Sequence, residues 1–180
     1  MKVGIDSYCY HRYFGEVYEN QKKPARGMSY EDFLRRAASL KADGVSLETC
    51  FFERDDESYL KSLRELLVEG GLEPVVAWGH PNGFEGGRNP GVSADLKKHF
   101  RTCELLGATV MRIVGSSLSF RNEPRAPQIR ALSRLLKEPA KMAHDRGVKL
   151  AMENHFDFTA DEILEIIGNV SSPSLGVTYD

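Results

Sequence analysis

Six short runs rich in β-forming residues alternate with segments of helical periodicity, and this alternation constrains the fold more than any other feature of the chain. The runs are Lys2 to Asp6, Val45 to Thr49, Pro74 to Trp78, Thr109 to Val114, Val148 to Asn154 and Leu175 to Asp180. Between the first two, Phe33, Ala37 and Leu40 share one face of a helix expected over Tyr30 to Ala42, with Ser29 and Asp32 supplying its N-terminal cap. Further helices are expected over Glu57 to Glu69, Ala94 to Leu106 and about Gln128 to Arg146, with Pro139 kinking or splitting the last. Gly44, Gly70-Gly71, Gly107 and Gly147 follow these four segments and suit the left-handed residue that ends a helix. A fifth helix opens on Thr159-Ala160-Asp161-Glu162, a capping-box pattern, and runs until Gly168 and Pro173 end it.

Each crossover is long enough for a βαβ unit, so the strands are expected to lie parallel in a sheet covered by helices. An open doubly wound sheet and a closed (β/α)8 barrel both satisfy this pattern. The open form carries a glycine-rich phosphate turn after its first strand, but here Asp6 is followed by Ser7-Tyr8-Cys9-Tyr10-His11, and neither G-x-G-x-x-G nor a Walker-type motif occurs. Gly83, Gly86, Gly87 and Gly91 have a spacing that fits neither motif and read as a long flexible loop. A complete barrel takes about 250 residues and eight units. A chain of 180 residues ending at its sixth strand is therefore expected to hold the first six units of a barrel, as one domain over 1–180, with strands seven and eight missing.

The charge balance, 24 Lys+Arg against 26 Asp+Glu, leaves no basic footprint for duplex nucleic acid. The amino-terminal apolar run is broken at Asp6, too early for a signal peptide, and no run approaches the roughly 18 apolar residues of a membrane span. A cytoplasmic location with no nucleic-acid or membrane partner is expected. Cys9, Cys50 and Cys103, odd in number and widely spaced, read as reduced, part-buried thiols.

In parallel α/β folds functional groups gather at the carboxyl ends of the strands, and those ends are polar here. The first ends in Asp6, the second carries Glu48, the third runs Trp78-Gly79-His80, the fourth contains Arg112 and leads to Ser116-Ser117, the fifth ends Glu153-Asn154-His155 and the sixth ends in Asp180. Ionisable groups at buried strand ends need ion-pair partners, a metal or a polar ligand. Asp6 and Arg112 read first as structural ion pairs. Glu153 and Asp180 occupy equivalent places on strands expected to be neighbours, about 4.8 Å apart, and suit one divalent cation, Mg²⁺ or Mn²⁺, or Co²⁺ or Zn²⁺ if a histidine joins them. His99 and His144, inside helices, read as surface residues; His11, His80 and His155 lie at strand ends or in the following loops. Ser116, Ser117, Ser119 and Arg121 form a candidate anion site, with loop solvation as the alternative. The loop from Tyr8 to Met28, carrying Tyr10, Arg12, Tyr13, Phe14 and Tyr18, is either a lid or an oligomer contact, and a homo-oligomer stays open.

Leu150-Ala151-Met152-Glu153-Asn154-His155, with Asp157-Phe158-Thr159 and Leu175-Gly176-Val177-Thr178-Tyr179-Asp180, resembles the sugar phosphate isomerase/epimerase family of xylose isomerase-like TIM barrels. The resemblance extends to Leu40-Lys41-Ala42-Asp43-Gly44-Val45-Ser46-Leu47-Glu48 and Trp78-Gly79-His80-Pro81. It implies one divalent metal, Mn, Mg, Co or Zn, held in part by Glu153 and Asp180, with two further ligands on strands that this chain lacks. It also implies proton transfer next to a sugar carbonyl through an enediolate, with Glu153 as both ligand and catalytic base. His80 and His155 are candidates for hydrogen bonds to sugar hydroxyls. Trp78 reads first as barrel packing and otherwise as an apolar face for the sugar, and Glu48 either orients substrate or pairs with Arg112, the remaining substrate-site candidate. The alternatives are an apurinic-endonuclease-like phosphodiesterase and a non-catalytic binding or subunit-completed fragment. The six-strand fragment alone is expected to be inactive.

Overall fold

The computed structural model describes residues 1–179. Its strands are β1 (Gly4–Asp6), β2 (Gly44–Glu48), β3 (Glu73–Ala77), β4 (Val110–Ile113), β5 (Lys149–Glu153) and β6 (Leu175–Thr178). The helices between them are α1 (Tyr30–Ser39), α2 (Glu57–Glu69), α3 (Pro90–Leu106), α4 (Arg125–Asp145) and α5 (Ala160–Val170). All adjacent pairs are parallel, and the strand order is β1-β2-β3-β4-β5-β6. A doubly wound sheet reverses its strand order at a switch point. Here no reversal occurs, and the uninterrupted order is that of a (β/α)8 barrel laid down through six units.

Local chemistry explains the elements. Ser29 caps α1 by accepting from the Asp32 amide at 3.2 Å, and Asp56 caps α2 through the Tyr59 amide at 3.0 Å. The capping box of α5 is complete: the Glu162 amide donates to Thr159 Oγ1 at 3.3 Å, and the Thr159 amide to Glu162 Oε2 at 2.8 Å. Alternate strand residues, Val45 and Leu47, Met111 and Ile113, Leu150 and Met152, join Phe33, Leu34, Leu63, Leu96, Leu132 and Ile166 from the helices in the buried core. Each such side chain removed from water contributes about 1.5–3 kcal/mol.

Several expectations need correction. Gly44 begins β2 rather than ending a helix, and the left-handed residue after α1 is Lys41, at φ 58°. Gly71, Gly107 and Gly147 do take positive φ. Pro139 lies within one continuous α4; a single missing N–H removes one hydrogen bond of a 21-residue helix whose buried face, Pro139 included, packs on the core. The glycines after β3 are not a slack loop. Gly86 and Gly87 have φ of 63° and 84°, and an added Cβ would stand 2.4 Å from Gln128 Oε1 and 2.4 Å from the Leu132 nitrogen, so they form a close-packed strap against α4.

His144 is exposed, as expected, but His99 is half-buried, with Nδ1 3.3 Å from Thr102 Oγ1 and Nε2 3.9 Å from Asp95 Oδ2. Burial depresses its pKa, outweighing the attraction of Asp95. As pH falls below about 6.5 the unfolded chain therefore takes up this proton first. The contribution of His99 to stability is present above that pH and lost as pH falls through its folded pKa. Urea unfolding of H99Q between pH 7.5 and 5 should show a shallower acid loss than wild type.

Candidate active site

Strand register places the polar strand ends on one face. Glu48 aligns with Ala77, Ala77 with Arg112 and Arg112 with Ala151, so these positions share an orientation, and Glu153 lies two residues further along β5 on the same face. Glu48 and Arg112 are separated by a strand whose residue between them is alanine. That small side chain leaves the arginine a path across β3. Arg112 Nη2 donates to Glu48 Oε1 and Nη1 donates to Glu153 Oε2, so one guanidinium bridges β2, β4 and β5. The Arg112 side chain is 17% exposed, Glu48 4% and Glu153 9%.

Burial drives Glu48 upward, to about 7, and Asp6 and Glu153 add to it against the opposing pull of Arg112. Burial opposes the charge on Arg112, yet Glu48 and Glu153 outweigh it and hold its pKa above the usual range. The backbone of Glu48 is fixed from both sides: its amide donates to Ser7 Oγ at 3.0 Å and its carbonyl accepts from Tyr30 Oη at 2.6 Å. Asp6 caps the 3₁₀ turn that follows β1, accepting from the Tyr8 amide at 2.7 Å.

These residues floor a cavity of about 1120 Å³. His80 and His155 line it, as do Ser116, Thr178 and the exposed ring of Phe156. His80 stacks on Trp78 at 5.3 Å, and its Nδ1 accepts from the Asn82 amide at 3.4 Å. His155 packs against Phe156 at 4.1 Å, and its Nδ1 is buried without a partner. Trp78 is only 1% exposed, with its indole N–H donating to Asp95 Oδ2 at 3.0 Å, so its anchorage is to α3. The loop after β1 builds one wall. Phe14 stacks on Phe51 at 5.0 Å, while Tyr8 and Tyr18 both donate to Glu16 Oε1.

Of the four residues of the candidate anion group, Ser116 lines the cavity; its amide donates to Asp157 Oδ2 at 2.6 Å, and Ser117 Oγ donates to Asn82 Oδ1 at 3.3 Å. Asp157 belongs to the Asp157-Phe158-Thr159 stretch that carries part of the resemblance, and its role emerges only in the structure. Fully buried, it also accepts from the Phe158 amide at 2.9 Å and so ties the loop after β4 to the loop after β5. The signal available was a carboxylate directly before Phe158-Thr159, at the mouth of a helix. Replacing Asp157 by alanine orphans two amides, at about 1–3 kcal/mol each if they stay dry; urea unfolding should show the loss, and D157N, which keeps one acceptor oxygen, should lose less.

The hard carboxylate of Glu153 and the unpartnered imidazole nitrogen of His155 fit a divalent ion in kind. Among the described residues no group of three or more His, Cys, Asp or Glu is gathered for one, and Asp180, the second expected ligand, lies outside the described residues. Cys9 and Cys50 are exposed free thiols and Cys103 is buried; burial pushes Cys103 up to about 12. Among the described residues no helix is long and apolar enough to cross a membrane.

A (β/α) barrel with its polar strand ends turned into one cavity defines the class of protein. A family profile of xylose isomerase-like TIM barrels matches residues 34–180. The chain belongs to that family. No curated protein matches its sequence. Among solved structures it is similar to a D-psicose 3-epimerase crystallised in the presence of D-fructose, with a TM-score of 0.78 and 16% identity over 100% of this chain and 63% of the other. It is also similar to an IolI protein with a bound zinc atom, with a TM-score of 0.73 and 17% identity over 98% and 62%. A family 2 AP endonuclease from Brucella melitensis gives a TM-score of 0.70 and 11% identity over 99% and 68%. The chain thus spans somewhat under two thirds of the epimerase and of the IolI protein, and at these identities the likeness is one of fold.

Proposed function

We propose that this chain forms part of a divalent-metal-dependent isomerase or epimerase that moves a proton on the carbon next to the carbonyl of a sugar or sugar-derived substrate, through an enediolate. What carries this reading is Glu153, a nearly buried carboxylate at the end of β5 that opens into a cavity large enough for a small ligand. The epimerase among its structural neighbours supports the substrate class.

Glu153 serves as an ion ligand and as the base that takes the proton, and Asp180 as a second ligand. When bound, the ion supplies Lewis-acid stabilisation for the negative charge that develops as the proton leaves. His80 and His155 face the cavity with ring nitrogens suited to sugar hydroxyls, and Glu48 holds Arg112 in place beside them. Trp78 backs His80, while the Tyr8–Tyr18 wall shields the site from bulk water.

The test is proton exchange in D2O, followed by NMR, of the full-length protein with a panel of ketoses and aldoses in the presence of Mn²⁺, Co²⁺ or Mg²⁺. Metal-dependent incorporation of deuterium next to the carbonyl is expected. A folded protein that exchanges no sugar proton with any of these ions sinks the proposal, and salt-sensitive cleavage of abasic DNA in the same preparation would replace it with the endonuclease reading.

A further inference from the structure

The fork of Arg112 holds two carboxylates by two different nitrogens, Glu48 by Nη2 and Glu153 by Nη1. Either contact therefore breaks without the other. Nε of the same guanidinium is buried and has no acceptor, so the two terminal contacts alone define where the head group sits. The two carboxylates are not equivalent. The backbone of Glu48 is held by Ser7 and Tyr30, and a Cβ added at Gly79 would stand 2.9 Å from its Oε2, so the glycine leaves the carboxylate its place. Both carboxylates line the cavity; Glu153, at the end of β5, is the one proposed to hold the ion.

We propose that Arg112 is a positioning residue that competes with the divalent ion for Glu153 and falls back on Glu48 alone when the ion takes that carboxylate. This rests on the proposed role of Glu153 as an ion ligand. Two cations on one carboxylate repel each other, and the repulsion is strong where water is excluded. A buried guanidinium does not solve the conflict by losing its proton. It needs a second anion, and Glu48 supplies one across the gap left by Ala77. In the fallen-back state Nη1 faces the cavity with its hydrogen atoms free for a substrate oxygen, which couples ion loading to the exposure of a substrate donor.

The proposal predicts effects of opposite sign on ion affinity. Arg112→Met keeps an apolar stem and removes the competitor, so it should tighten Mn²⁺ binding by about tenfold, equivalent to about 1.4 kcal/mol. Glu48→Gln removes the fallback partner while leaving the competitor, so it should weaken Mn²⁺ binding by a similar factor. A fixed neighbouring charge shifts Mn²⁺ binding in these same directions through its field alone, so the deciding readout is a crystal structure of the Mn²⁺-loaded protein: the hand-over requires Arg112 Nη1 off Glu153 with Nη2 still on Glu48, and an Arg112 still on both carboxylates overturns it. The measurement is calorimetric titration of the full-length protein with Mn²⁺ at pH 8 without substrate, with circular dichroism to confirm the fold.

Opposite shifts together with that displacement of Arg112 from Glu153 support the hand-over. With the fold intact, unchanged or weaker binding in R112M overturns it; if R112M does not fold, unchanged or tighter binding in E48Q overturns it by itself. Glu153→Gln separates the two layers of the argument. Wild-type protein that binds no Mn²⁺, or binding untouched by E153Q, removes the ion-ligand reading and the hand-over with it. Binding abolished by E153Q yet indifferent to R112M and E48Q removes the hand-over alone.

Discussion

Replacing Arg112 by alanine is expected to destabilise the chain by about 3–5 kcal/mol, the cost of removing one partner from a buried ion pair. The change leaves Glu48 and Glu153, both nearly buried, without the only cation that touches either among the described salt bridges. The loss should depend on pH with a definite sign. Burial already holds the Glu48 carboxyl up at about 7, and losing Arg112 removes the interaction that opposed that rise. A carboxyl whose folded pKa lies above its unfolded value favours the unfolded chain as it ionises, so the deficit grows as pH rises through that range. Urea unfolding at pH 6 and pH 8 measures it, and a smaller deficit at pH 8 would contradict the account. Arg112→Lys should recover only part of the loss, since an ammonium has no planar fork to span two strands.

Replacing Glu153 by glutamine is expected to lower sugar-proton exchange by about 10²–10⁴-fold, the range for loss of a positioned acid–base group. The amide keeps the shape and one acceptor oxygen but neither takes the proton nor carries the charge. Two effects are folded into that figure, and saturation separates them. If the residue served only to hold the ion, excess Mn²⁺ would restore kcat; if it also moves the proton, kcat stays low with the ion site filled. Glu153→Gln should cost less stability than Arg112→Ala, because Arg112 keeps Glu48.

Much of the fold was legible because helices and strands write their periods into the sequence. The pattern of Phe33 and Ala37, the caps at Ser29 and Thr159 and the glycines at 71, 107 and 147 are all local signals, whereas Leu40, expected on the same buried face of a helix running to Ala42, is exposed just past the end of α1 at Ser39. Barrel and open sheet were not separated by any of these; the absence of a phosphate turn only leaned one way, and the strand order decided it. The strap at Gly86 and Gly87 departs from the flexible loop that its glycine spacing suggests, for a related reason. Its glycines are required by contacts with Gln128 and Leu132, some forty residues later, and nothing local announces a partner on another helix. The Arg112–Glu48 contact was among the options that sequence reasoning kept open. The simultaneous grip on Glu153 was not, because it depends on how far an arginine reaches across a strand whose intervening residue is alanine. The buried Asp157, which takes the Ser116 amide, was not singled out because its partner lies forty-one residues earlier.

The unbroken order of the sheet also has a consequence in time. A chain synthesised from its amino terminus makes its strands in the order in which they stack, so the earlier neighbour of each new strand already exists when that strand emerges. Glu48 leaves the ribosome first, Arg112 follows and meets a carboxylate within reach, and Glu153 arrives last. Whenever the arginine is buried, the first of its two counter-ions has already been made. The charge that is most expensive to bury is thus escorted by its neighbour from the moment β4 is laid down.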